Sequence, residues 1–259
     1  MRSFYNLVND NIKVQQLAAQ IPWGHIIVIL TQVKNLNEAK FYIQKTIESS
    51  WSRVILSHQI SLDLYHRQGK LLNNFDKTIA NTDIKLIKES FKENYILDFL
   101  GLNQDISEYE LEKSLIQNIT NLILELGKGF AFVGKQYKLT VGGQEFFIDL
   151  LFYNYILKRF VIIELKNTEF KADYIGQIGF YITAIDRDIK QKENKSTIGL
   201  IICQYKNNTV VEYALASIHQ PVGVAEYKLS KLPANLAKYL PSRDELNIAL
   251  SNKKPYSKQ

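Results

Sequence analysis

The sequence contains very little cysteine, since Cys203 is the only one among 259 residues. A single cysteine excludes an intramolecular disulfide and any zinc site that is built from several cysteines. The four histidines are scattered and lack the spacing of metal ligands. A chain without disulfides or thiolate-bound zinc fits a reducing compartment, so we expect a cytoplasmic protein.

Long hydrophobic runs are also missing. The longest covers residues 26–30, far less than the roughly 20 apolar residues that a membrane-spanning helix needs. The N-terminus lacks the arrangement of a signal peptide, so neither export nor a membrane partner is expected. A glycine-rich loop that could grip the phosphates of ATP is absent too, which argues against ATP hydrolysis.

The composition is that of a globular protein with surplus positive charge. Hydrophobic residues make up 46% and charged residues 22% of the sequence, as is usual for folded domains. The formal net charge of +6 favours polyanionic partners only weakly. This charge gains weight only beside a site that has a chemical reason to bind phosphate.

The first hundred residues follow helical spacing. Ala39, Ile43 and Ile47 form one apolar stripe within residues 37–49. Further helices are predicted over residues 50–57, 61–68 and 83–91. Because no strand-like alternation of any length occurs here, we predict a mostly α-helical N-terminal domain over residues 1–103, with a role in DNA or partner recognition.

The pattern changes in the second half of the chain. Residues 107–126 are predicted to form a helix, with Ser107 and Glu110 as a capping box at its start and Gly127 where it stops. Strands are predicted over residues 130–139, 145–153, 159–166 and 197–203, and a second helix over residues 172–186. The resulting order of elements is α-β-β-β-α-β.

This order defines the predicted domain organisation. We assign residues 104–230 to the mixed α/β domain and residues 231–259 to a C-terminal tail. The tail is lysine-rich at its end, contains a short predicted helix over residues 243–250, and is expected to be loose.

Three charged residues meet in the second and third predicted strands. Glu164 and Lys166 are two residues apart in the apolar segment VIIELK, so both side chains point to the same face of the strand. A hairpin turn near Ile156 places Asp149 roughly across from Ile163 and Glu164. Two carboxylates and one lysine are therefore expected at one end of a sheet.

These residues support two interpretations. A buried salt bridge, with Lys166 neutralising one acid, would offset the cost of placing charges in apolar strands. Alternatively, two acids with one base leave a net negative pocket that suits Mg²⁺. Asp149, Glu164 and the carbonyl of Leu165 would then hold the metal. Lys166 would orient or help to deprotonate a metal-bound water and stabilise charge on a phosphate.

The pattern D-x14-E-x-K within the order α-β-β-β-α-β resembles the PD-(D/E)xK nuclease superfamily. More narrowly, the stretch LGKGFAFVGKQYKLTVGGQEFFIDLLFYN, followed by RFVIIELKNTEFKADYIGQIGFYITAID, is similar to the bacterial YhcG family. The N-terminal segments IPWGHIIVILTQVK and ESSWSRVILSHQI also resemble that family, so the likeness covers nearly the whole chain. It implies an α/β (α+β) fold in which a helical N-terminal domain precedes a restriction-endonuclease-like αβββαβ core.

The resemblance implies further site residues. The first core helix of the superfamily often supplies another acid, for which Glu112 is our choice, with a solvated helical glutamate as the alternative. Glu110 and Glu125 are weaker candidates on the same predicted helix. The second core helix often carries a Gln-x3-Tyr pair, which Gln177 and Tyr181 match on one helix face. These two would position substrate or water, although Tyr181 could equally be a core residue. Ile148 stands where the superfamily's motif has proline.

Basic residues surround this predicted site. Each is a candidate for contact with phosphates and, alternatively, a solvated surface residue. They are Lys135, Lys138, Lys158, Arg159 and Lys171.

The resemblance implies a DNA endonuclease that uses Mg²⁺, with Mn²⁺ as a substitute. A DNA-binding or scaffold subunit with little activity of its own is the alternative. A third hypothesis is a nuclease active only within a restriction, repair or mobile-element complex. Self-association is expected, because cutting both strands needs two sites. The form of the nucleic acid and its sequence stay open.

Overall fold

The computed structural model describes residues 16–102 and 106–229. Among the described residues, the first part of the chain contains the helices α1 (Trp23–Gln32), α2 (Leu36–Ser49), α3 (Arg53–Ser61) and α4 (Leu64–Arg67). The side chains of Asn35 and Ser52 cap α2 and α3 by accepting backbone N–H groups. These helices pack around the buried Tyr42 and Leu56 in a hydrophobic cluster of their own. Within the described residues, no helix is long and apolar enough to span a membrane.

The chain then enters a second body. Its first elements are β1 (Leu72–Asn73), α5 (Phe75–Thr78), α6 (Asn81–Ser90), β2 (Asn94–Ile96) and a 3-10 turn (Asp98–Leu100). The sequence predicts a mostly α-helical region here from the lack of strand-like alternation, and β1 and β2 are short strands within it. Both strands are too short to show alternation, and they form only because each pairs with the last strand of the sheet.

Hydrophobic contacts assign this segment to the sheet. Leu71, Phe75 and Tyr95 belong to the cluster beneath the sheet, not to the cluster of the first four helices. The change between the two clusters falls between residues 65 and 71, whereas the sequence predicts a domain border at residue 103. The border itself stays a prediction.

The second half of the chain has the predicted order α-β-β-β-α-β. Its elements are α7 (Glu108–Gln117), α8 (Ile119–Leu126), β3 (Phe130–Val141), β4 (Gln144–Asn154), β5 (Arg159–Glu169), α9 (Tyr174–Asp188), β6 (Ile198–Tyr205), α10 (Asn208–Ala216) and β7 (Val222–Lys228). Ser107 and Glu110 form the expected capping box. The final pair, α10 and β7, was not predicted. The predicted helix over residues 243–250 lies outside the described residues.

The single helix predicted over residues 107–126 is two helices in the structure. Asn118 interrupts it with φ −113° and ψ 32°, and its side-chain amide donates to the carbonyl of Ser114 at 3.0 Å. Asparagine competes in this way for backbone groups that would otherwise continue the helix.

The strands form one mixed sheet in the order β1-β7-β6-β5-β4-β3, with β2 also pairing with β7. Strands β3, β4 and β5 are antiparallel, whereas β5, β6 and β7 are parallel. Gly142 and Gly143 have φ of +59° and +79°, so they make the predicted two-residue hairpin between β3 and β4. One face of the sheet packs against α7 and α8, and the other against α9 and α10.

The sheet opens between β4 and β5. Pairing of β4 with β5 runs from Asn154–Arg159 as far as Leu150–Ile163. Beyond that point β4 continues beside β3, and β5 continues beside β6. The backbone groups of the two strands are therefore free to bind side chains or ligands where the strands separate.

Candidate active site

Asp149, Glu164 and Lys166 meet where β4 and β5 separate. The backbone N–H of Asp149 donates to Glu164 Oε1 at 3.3 Å, and Asp149 Oδ2 accepts the backbone N–H of Leu165 at 2.9 Å. Lys166 Nζ lies 3.7 Å from Glu164 Oε2. The structure thus brings together the three side chains that the strand pattern predicted to lie side by side.

Glu164 is a buried carboxyl group with only 2% of its surface exposed. Burial, followed by the negative charge of Asp149, raises the pKa of Glu164 to about 8, although Lys166 opposes the shift. The carboxylate form of Glu164 is therefore costly in the protein alone, and a cation at this point would stabilise it.

Lys166 is held among acids from two directions. Its Nζ lies 3.8 Å from Glu108 Oε2 on α7 and 5.4 Å from the centre of the Tyr174 ring. Burial lowers the pKa of Lys166, but the charges of Glu164, Asp149 and Glu108 outweigh burial and raise the pKa above its ordinary value. The lysine is therefore a permanent positive charge at neutral pH.

The donor chemistry of the site fits a hard divalent cation. The distance from Lys166 to Glu164 exceeds that of a normal hydrogen bond, so the lysine does not engage the carboxylate in a close ion pair. Across residues 16–102 and 106–229, no three histidine, cysteine, aspartate or glutamate side chains are arranged to hold a metal ion. Two carboxylates completed by water, a backbone carbonyl or phosphate oxygens are what Mg²⁺ prefers.

The predicted Gln-x3-Tyr pair lies beside Glu164. Gln177 Nε2 donates to Glu164 Oε2 at 3.3 Å and to the Tyr181 hydroxyl at 3.1 Å. Gln177 is exposed, whereas Tyr181 is 5% exposed and packs in the cluster between the sheet and α9. The geometry gives Gln177 access to the site and leaves Tyr181 chiefly a core residue that supports Gln177.

Glu112 reaches the site through a residue that the sequence analysis missed. Gln136 on β3 donates its Nε2 to Glu112 Oε2 at 2.6 Å and to Asp149 Oδ1 at 3.3 Å. Burial, together with the charge of Asp149, raises the pKa of Glu112 above its ordinary value despite the bond from Gln136. The two weaker alternatives lie elsewhere, since Glu110 closes the capping box and Glu125 pairs with Arg67.

The basic residues fall into two groups. Lys135, Lys138 and Lys171 are exposed on β3 and in the loop before α9, and Lys138 forms an ion pair with Glu145 across the hairpin. Lys158 and Arg159 lie at the other end of β5, roughly 16 Å along the strand from Glu164. Their predicted place around the site was wrong.

Arg159 is 3% exposed and donates to Asp83 Oδ2 at 3.0 Å and to the backbone and hydroxyl oxygens of Ser196. This residue therefore holds α6 to the sheet and has no free charge for a ligand.

Three site residues were not predicted, and only one of them has a recognisable signal in the sequence. Glu108 precedes Glu112 by four positions, so both lie on one face of α7, and this spacing could have revealed Glu108. Gln136 and Tyr174 carry no such signal, because their places depend on how β3 and α9 meet the other strands.

Replacing Glu164 with glutamine is expected to stabilise the metal-free protein at alkaline pH. The folded protein binds more protons than the unfolded chain between pH 4.5 and about 8, so wild-type stability falls as the pH rises through this window. A neutral glutamine removes the free-energy cost of ionising a buried carboxyl group, which is on the order of a few kcal/mol. Thermal unfolding in EDTA from pH 5 to 9 should show a variant advantage that grows with pH. The matched control is Glu193→Gln, at an exposed position. A difference that is constant over the pH range would contradict the expectation.

Comparison with known families gives a match for each half of the chain. The family described as the YhcG PDDEXK nuclease domain matches residues 88–241, and the DUF1016 N-terminal domain matches residues 1–67. The YhcG protein of Escherichia coli (strain K12) is 32% identical over 209 residues, which cover 78% of this chain and 55% of that protein. The chain therefore spans about half the length of this relative.

Two solved structures show distant similarity. The repair endonuclease from Pyrococcus abyssi has 14% identity and a TM-score of 0.34, with 51% of this chain and 50% of that chain covered. EndoMS in its complex named dsDNA2 has 16% identity and a TM-score of 0.34, with 51% and 46% covered. Because the family match covers more than half of the residues and includes Asp149, Glu164 and Lys166, this chain belongs to the YhcG PDDEXK nuclease domain family.

Proposed function

We propose that the chain is a Mg²⁺-dependent DNA endonuclease that hydrolyses phosphodiester bonds. The observation that carries this proposal is the contact among Asp149, Glu164 and Lys166 where β4 and β5 separate. A buried acid beside a half-buried one, with a lysine next to them, is costly in an apolar sheet unless the group binds a charged ligand. Family membership supports the choice of a phosphodiester as that ligand.

Asp149 and Glu164 would hold the metal ion, together with the carbonyl of Leu165. When bound, Mg²⁺ lowers the pKa of a coordinated water and neutralises charge on the scissile phosphate. Asp149 is already fixed in place by the N–H of Leu165, so its remaining oxygen is oriented before any ligand arrives. Mn²⁺ offers the same preference for oxygen ligands and would substitute.

Lys166 would orient the attacking water and stabilise the negative charge that develops on the phosphate. Its Nζ lies 3.7 Å from Glu164 Oε2, which places the positive charge beside the acids that would hold the metal ion. Gln177 is placed to hold the water or the substrate backbone through its exposed amide.

DNA contact would come from the exposed lysines and the helical N-terminal domain. Lys135 and Lys171 are exposed, and phosphate contacts of this kind bind DNA without regard to sequence. The net charge of +6 points the same way. Two copies of the chain would supply one site for each strand of a duplex.

A cleavage assay tests the proposal. Supercoiled, linear, single-stranded and branched DNA would be incubated with Mg²⁺, Mn²⁺ or EDTA, for the wild type, Glu164→Gln and the control Glu193→Gln. We expect metal-dependent cutting by the wild type and the control that disappears in Glu164→Gln. Cutting that survives in EDTA, or in Glu164→Gln, would refute the proposed site. DNA binding without cutting in any protein would replace the proposal with a binding subunit.

A further inference from the structure

Gln136 has an unusual backbone for a residue inside a strand. Its φ is +41°, in the left-handed region that residues with a side chain rarely adopt. Among the residues that the structure describes, the other non-glycine positions with positive φ lie at helix ends or in a turn, at Ser50, Asp63 and Lys158. Only surrounding contacts can hold a strand residue in such a conformation, and such positions cluster at functional sites.

The local irregularity of β3 explains how the side chain reaches the site. The pairing of β3 with β4 shifts between Phe132 and Gly134, as in a β-bulge, and bulges redirect side chains near active sites. Gln136 then stands beside Asp149 on the neighbouring strand and faces Glu112 on α7. Three separate elements therefore converge on a single amide group.

The contacts of this amide are with two acids and involve one nitrogen. Nε2 carries two N–H groups, which donate to Glu112 Oε2 at 2.6 Å and to Asp149 Oδ1 at 3.3 Å. The amide is therefore the link between two carboxylates of like charge that lie on separate elements, α7 and β4. Because the amide is neutral, it holds both acids without cancelling their charge.

We infer that Gln136 is a positioning residue that links the Glu112 carboxylate of α7 to Asp149, so that Asp149 is oriented for the cation from β3 and α7 together. This inference rests on the proposed function, because it assigns Gln136 a purpose in metal binding. It goes further in giving Gln136 and Glu112 one shared task, the orientation of Asp149. Glu112 and Gln136 act as one unit in this arrangement, and losing either should have the same consequence.

The test is a double-mutant cycle on metal affinity. Binding of Mn²⁺ alone and of Mg²⁺ alone would be measured by titration calorimetry at pH 8.5 for wild type, Gln136→Met, Glu112→Gln and the double variant. Loss of a residue that orients a metal ligand costs roughly 10–100-fold in affinity. We expect each single variant to bind Mn²⁺ roughly 10–100-fold more weakly than wild type. The double variant should bind Mn²⁺ about as tightly as the weaker-binding of the two single variants.

Controls separate a positioning role from a structural one. Gln144→Met changes an exposed glutamine at the end of the same hairpin and should leave the affinity unchanged. Thermal unfolding in EDTA should give similar midpoints for Gln136→Met and wild type.

Three results would overturn the inference. Gln136→Met could bind Mn²⁺ as well as wild type does, the effects of the two single variants could add, or the loss could follow a fall in the unfolding midpoint. If wild type itself binds no Mn²⁺, the proposed function fails together with this inference. If wild type and Gln136→Met bind Mn²⁺ equally well, only the inference about Gln136 fails and the proposed function stands.

Discussion

Replacing Glu125 with glutamine is expected to lower the free energy of unfolding by about 3–5 kcal/mol, because it leaves two buried cations without a negative partner. Glu125 is 3% exposed. Its Oε1 accepts from Arg67 Nη1 at 2.8 Å and its Oε2 lies 3.2 Å from Lys92 Nζ. Burial and the charge of Arg67 lower the pKa of Lys92 to about 8, although the charge of Glu125 acts in the opposite direction.

This ionic cluster joins parts of the chain that are distant in sequence. Arg67 ends α4 and also donates to the carbonyls of Leu62 and Asn94 at 2.6 and 2.7 Å. Glu125 ends α8 and accepts the backbone N–H of Ile96 at 2.9 Å. Removing the central charge therefore weakens the attachment of the N-terminal helices and of β2 to the sheet at the same time.

Thermal and urea unfolding would measure the effect. A loss of this size lowers the melting temperature by roughly 6–20 °C in a protein of this length. The matched control is Glu212→Gln, at an exposed position on α10. The apolar triple variant Arg67→Met, Lys92→Met, Glu125→Leu should recover most of the loss, since it buries no charge. A Glu125→Gln protein as stable as the control would contradict this account.

Replacing Lys166 with methionine should lower the rate of DNA cleavage by roughly 10²–10⁴-fold, the usual contribution of a positioned acid, base or charge. Methionine keeps most of the volume of the buried stem and loses only the ammonium group. Lys166 lies beyond hydrogen-bond distance of Glu164 and Glu108, so it is not needed to hold the acids. Metal affinity should therefore survive the change.

The measurement compares turnover under saturating Mg²⁺ with Mn²⁺ affinity from calorimetry. Lys192→Met, at an exposed position in the loop before β6, is the control. A variant that loses metal binding and turnover together would show that Lys166 organises the site. A variant that keeps full turnover would remove Lys166 from the reaction and leave the two acids with the metal.

Several structural features could be predicted because they depend on neighbours in sequence. Glu164 and Lys166 lie on one face of β5 since side chains alternate along a strand. The hairpin at Gly142 and Gly143 follows from the ability of glycine to adopt positive φ. The capping box at Ser107 follows from a three-residue spacing.

Other features could not be predicted, because they depend on contacts between distant segments. β1 and β2 are strands only because β7 offers them an edge. Arg159 follows Lys158 in a basic pair that suits a phosphate, yet in the structure Arg159 forms an ion pair with Asp83 of α6. Glu125 was a candidate acid on the first core helix, but in the structure it forms ion pairs with Arg67 and Lys92 from other segments.

The sequence by itself determined the order of helices and strands in the second half of the chain, its family, and which three charged residues meet on β4 and β5. Periodicity and short spacings encode these features locally. Only the tertiary structure decided that β4 and β5 separate at the acids, that Gln136 links Glu112 to Asp149, and that residues 71–97 join the sheet. Each of these depends on where two or more elements meet in space, which no local pattern specifies.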